Sequence, residues 1–86
     1  MDDAVIITEF EKLARRLGIV IRYNIDGPSG LCTVKGERLM FIDRTLNRNV
    51  KIDLYVREFK TLDLEGIFVV PIIRRLLGLE NDTSEW

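Results

Sequence analysis

Three features of the chain predict an α+β fold: a helix, a three-stranded antiparallel sheet with a hairpin, then two helices packed on one face. Apolar residues recur at helical spacing over 3–17. A β-branched run follows at 19–23, and two further short strands bracket a glycine turn at residue 36. Helical spacing then returns near residue 49. The 86 residues suffice for one domain, expected over 1–79, with 80–86 read as an acidic, disordered tail.

In the first helix, Ile6, Phe10, Leu13, Ala14 and Leu17 share a face, and Glu9, Glu11, Lys12, Arg15 and Arg16 fill the other. Asp2 or Asp3 can cap its start. Thr8 and Glu11 also have capping-box spacing, which would start it later. Glu11 precedes Arg15 by four residues, a favourable helical pair. Gly18 suits the left-handed position after the last turn. Residues 19–23 read as a strand with apolar side chains on both faces except at Arg22. Residues 24–30 are rich in turn formers. Residues 31–34 and 38–42 pair as a hairpin across a three-residue loop, Lys35 to Glu37, in which Gly36 supplies a positive φ.

Asn47 or Asn49 can cap a second helix over roughly 49–60, with Ile52, Tyr55, Val56 and Phe59 as its apolar stripe. Leu62, Leu64, Ile67 and Phe68 follow in a tight segment broken by Gly66. Pro71 is placed to open a last helix that Gly78 closes, with Ile72, Ile73, Leu76 and Leu77 facing inward.

Composition narrows the function. The chain has no histidine, so Ser-His-Asp and Cys-His arrangements cannot be built within it, and neither can a histidine-bearing zinc site. No metal site and no cofactor are expected. Residues 27–30 are glycine-rich but lack the Lys-Ser/Thr of a phosphate loop, and a turn is the simpler reading. Asp53 and Glu58 fall on different sides of the second helix, so they do not form a catalytic carboxylate pair. The single cysteine, Cys32, shares a strand face with Val34 and is expected to be half-buried, packing as a small hydrophobe.

No apolar run approaches the ~20 residues needed to cross a bilayer, and residues 1–20 lack the pattern of a signal peptide. With the lone cysteine, this favours the cytoplasm. The formal net charge of −1 argues against nucleic acid as a partner. Locally, however, residues 32–60 hold seven Lys/Arg against four acids. Within that segment, Arg44, Arg48, Lys51 and Arg57 are the candidate residues for a phosphate-bearing ligand or nucleic acid. Residues 67–77 are rich in apolar side chains. There Ile67, Val69 and Ile72 are candidate interface residues for a homodimer or another protein partner.

Gly30, Cys32 and Gly36 in the hairpin, with Pro71 and Arg74 at the last helix, resemble a set of small uncharacterised bacterial proteins that carry a Gly-Gly-x-Cys hairpin. That resemblance implies no activity. Residues 18–61 also resemble part of the zinc metallopeptidases that cleave phage repressors and act in the radiation response. In that family a hairpin and a short connection precede a helix bearing His-Glu-x-x-His. Here the connection runs through residues 41–46, with Asp43 in place of Asn. Arg57, Glu58 and Thr61 then occupy the motif positions. Only Glu58 matches, and Arg57 is a permanent cation where a metal ligand should be. The resemblance therefore implies a metal-free, degenerate scaffold without peptidase activity. The expected function is a non-enzymatic domain acting through protein contacts. The alternative is a binding module built on the basic segment.

Overall fold

The computed structural model describes residues 2–24, 27 and 29–79. The tail expected at 80–86, and most of the loop at 25–28, lie outside these residues. Asp2 caps α1 (Asp3–Arg16), accepting the Ala4 N–H at 3.1 Å. The later start at Thr8 is not used: its hydroxyl donates instead to the Ala4 carbonyl one turn back. The helix ends with Gly18 at φ +76°. There the Ile19 N–H reaches the Ala14 carbonyl at 2.9 Å, and the Gly18 N–H reaches that of Arg15 at 3.1 Å. This paired closure satisfies two end carbonyls and drops Ile19 straight into the core. The same closure recurs at Gly78, ending α3 (Pro71–Leu76).

The sheet contains β1 (Val20–Asn24), β2 (Gly30–Val34) and β3 (Glu37–Asp43), in the order β1-β3-β2. It is mixed rather than wholly antiparallel: β2 and β3 form the hairpin, but β1 runs parallel to β3. The reason is geometric. The chain leaves β1, passes the end of the position β3 will occupy, returns as β2, and turns back so that β3 fills the gap. The hairpin loop has two residues, not three, because Glu37 pairs with Val34. Lys35 and Gly36 both have positive φ, +53° and +82°. Such a turn matches the twist of the flanking strands.

Asn47 caps α2 (Arg48–Phe59) by accepting the Val50 N–H at 3.0 Å. Helices α1 and α2 lie on one face of the sheet, and α3 packs on α1. The core between them centres on three rings. Phe10 of α1 stacks on Tyr55 of α2 at 5.0 Å, and Phe59 meets both edge-on at 5.4 and 5.8 Å. Met40 and Ile42 of β3 are wholly buried beneath the helices, with Leu54, Val69, Ile73 and Leu77 around them. Leu54 was not part of the expected stripe on α2. Ile52 and Val56 sit half-buried at its margins.

Two measurements of chemical denaturation check this account. Phe10→Ala removes the ring common to both helix contacts and should lower stability by about 3–5 kcal/mol. Lys35→Asn places a residue that tolerates positive φ in the turn and should raise stability by about 0.5–1 kcal/mol.

Candidate functional site

The most connected polar cluster lies where α1, β1 and α2 meet. In β1, alternation sends Ile21 and Tyr23 to the helix side, and Tyr23 is the strand's outermost ring on that face. The Tyr23 hydroxyl donates to the Glu11 carboxylate, and the buried Tyr55 hydroxyl lies 3.1 Å from the Tyr23 oxygen. Because the Tyr23 proton goes to Glu11, Tyr55 is the donor in the second bond. Lys51 stands over the Tyr23 ring, 5.7 Å from its centre. Burial first, then the Glu11 bond, pushes the Tyr23 phenol up to about 12. Burial raises that of Tyr55 further. Both phenols therefore stay protonated near neutral pH, and the Glu11 carboxylate is engaged by Tyr23. Sequence spacing had paired Glu11 with Arg15. The carboxylate turns instead to Tyr23, a contact between elements that no local pattern announces.

Glu58, the one residue matching the peptidase motif, has a structural task. Its carboxylate accepts the Leu31 N–H at 3.0 Å and lies 3.3 Å from the Arg57 guanidinium. A Cβ at Gly30 would sit 3.3 Å from that carboxylate, which explains a glycine there. The Thr61 hydroxyl donates to the Glu58 carbonyl at 2.6 Å, closing the last turn of α2. Among the described residues, no group of three or more Cys, Asp or Glu side chains is placed to hold a metal ion.

The basic candidates divide. Arg44 and Arg48 are exposed at the start of α2, beside Lys51. Arg57 lies nine residues beyond Arg48, half a turn round the helix, and pairs with Glu58. The four therefore do not form one patch. Near Lys51, Asp43 accepts the Thr45 N–H and hydroxyl, and these bonds hold its carboxyl below the usual range. Arg38 donates to the Leu17 carbonyl at 2.6 Å, setting its charge at the C-terminal end of α1.

The apolar candidates divide as well. Val69 is 3 % exposed and belongs to the core, so it offers nothing to a partner. Ile67 and Ile72 are half-buried against that core. The open residue of the segment is Phe68, 68 % exposed, with the Arg16 guanidinium over its ring and donating to its carbonyl at 2.7 Å.

Cys32 is exposed rather than half-buried. Strand alternation puts Leu31 and Thr33 toward the helices and Cys32 on the other side, where no described helix lies. On that side the rows run Val20–Leu39–Cys32 and Arg22–Phe41–Gly30 across the three strands, with Val34 beside Glu37. Val20, Leu39 and Phe41 are half-buried yet take no part in the core. Val34 is 45 % exposed. The apolar residues on both faces of β1 therefore divide between the core side, with Ile21, and the open side, with Val20.

No family model matches the chain, and no curated protein or solved structure matches it. No helix among the described residues is long and apolar enough to cross a membrane.

The tyrosine cluster makes a pH prediction. The folded pKa of Tyr23 is raised above its unfolded value of about 10, so its contribution is complete below pH 10 and is lost as pH rises through about 12. Alkaline titration followed by circular dichroism and tyrosinate absorbance should show unfolding in that window. Tyr23→Phe should make the loss less steep.

Proposed function

We propose that this chain is a non-enzymatic domain that works through protein contacts, using the open face of its sheet. The observation that supports this most is the group Val20, Leu39, Phe41, Cys32 and Val34, which shares one sheet surface outside the core. A wholly antiparallel sheet can leave one side in water when that side is polar. Parallel pairs, by contrast, are ordinarily covered on both sides, and here the uncovered side of the parallel β1–β3 pair is largely apolar. An apolar surface of this kind fits a protein partner better than a phosphate-bearing ligand. Phe68 adds a separate exposed ring at the far end of α1.

The chemistry of the chain agrees with a contact role. It has no histidine, the buried phenol of Tyr55 is held protonated, and the motif carboxylate of Glu58 is spent on a strand amide. A metal-free, peptidase-like scaffold fits the same reading, with Glu58 kept for architecture.

Phe41→Glu tests the proposal, because it charges the open face without touching the core. The variant should melt within a few degrees of the wild type yet lose proteins that the wild type retains in affinity capture from the source cell. If the two baits retain the same proteins, the open face is not a contact surface and the reading falls.

A further inference from the structure

The outer edge of β2 presents strand backbone that, beyond Leu31, is not covered by any described element. The order β1-β3-β2 leaves β2 with a strand on one side only. Its hydrogen bonding alternates along its length: Val34 and Glu37 flank the tight turn as a bonded pair, so Cys32 and Gly30 also face β3, and Leu31 and Thr33 face outward. The outward direction is visible at Leu31, whose N–H leaves the sheet to reach Glu58. Two residues on, the N–H and C=O of Thr33 point the same way. No described residue bonds them. Natural edge strands are usually blunted by lysine, proline or an inward charge. Residues 30–34 contain none of these, and Cys32, Thr33 and Val34 are all exposed. A shallow hollow lined by Leu31, Cys32, Thr33, Arg38, Thr61 and Leu62 lies against this strand.

We infer that β2 pairs with β2 of a second copy of this chain, antiparallel about a two-fold axis centred on Thr33. The inference rests on the contact reading above and adds a partner and a mode of pairing. An unpaired row of N–H and C=O groups is recognised by another extended backbone. The Thr33 centre is favoured over neighbouring registers for two reasons. It lets the two Thr33 residues exchange both backbone bonds while each Glu58–Leu31 bond stays intact. It also sets Lys35, exposed in the turn, opposite Leu31 of the second copy, where the Glu58 carboxylate lies. Cys32 and Val34 then meet across the axis on the open face, and the two sheets join into one of six strands. In a two-fold contact the Thr33 backbone bond and the Lys35–Glu58 ion pair are each made twice from the same residues.

Sedimentation equilibrium of the full chain up to about 1 mM tests this, with amide exchange at Thr33 followed over the same range. Wild type should associate, and its Thr33 amide should become protected as concentration rises. Thr33→Pro removes an N–H that the monomer does not use, so the fold should persist. Association should weaken roughly thirtyfold with two backbone bonds lost. Lys35→Glu, which keeps every backbone group, should weaken association and reverse its dependence on salt, because two carboxylates then face each other; it serves if the proline variant does not fold. Phe41→Glu should leave self-association unchanged. A wild type that stays monomeric overturns the inference, as does an association that Thr33→Pro and Lys35→Glu both leave intact. If association is instead lost in Phe41→Glu alone, edge pairing fails and the open-face reading stands.

Discussion

The hydroxyl of Tyr55 constrains much of this structure. The ring is wholly buried between the helices, and a buried hydroxyl without a partner costs roughly 1–3 kcal/mol. Its partner is Tyr23, on the strand beneath. That bond sets the height of α2 over β1, and the onward bond to Glu11 sets α1 against both. Phe10, one residue before Glu11, then lies flat against the Tyr55 ring. One residue thus joins the apolar stacking and the polar bonding of three elements, and moving any of them breaks both at once.

The helix layer is correspondingly well determined, whereas the sheet is finished on one side only. β3 carries the wholly buried Met40 and Ile42 on one face and Leu39 and Phe41, outside the core, on the other. Glu58 clamps the start of β2, and Arg38 ties the hairpin back to the end of α1. The hairpin is therefore tied to the helix layer at both ends, by the Glu58 side chain of α2 and by its own Arg38, and its outer surface is left with no described element against it. A domain stabilised in this way can offer that surface without depending on it for folding.

Much of the fold was legible because its signals are local. Asp2, Gly18, Asn47, Pro71 and Gly78 each act within a turn or two of the chain, and their roles follow from conformational preference alone. The direction of β1 was not legible. Parallel and antiparallel pairing use the same apolar residues, and the choice depends on whether β2 or β3 takes the place beside β1. Nor was the exposure of Cys32, since alternation shows which residues share a face but not which face the helices choose. The candidate site fared similarly. The basic residues are where the sequence put them, but helical rotation separates Arg57 from Arg48, and the burial of Val69 comes from a loop whose path no periodicity encodes.

The strand order also carries a cost in time. β3, the strand that bonds to both others, is the last of the three in the chain. The hairpin can close early, across two residues. β1 must wait until β3 exists, and then closes a far longer loop, which is slower entropically. During synthesis, α1 and β1 therefore emerge before there is any strand for β1 to join. The apolar residues of β1 stay exposed until residues 37–43 have left the ribosome, and the tyrosine bond that secures the helices can form only after α2 follows.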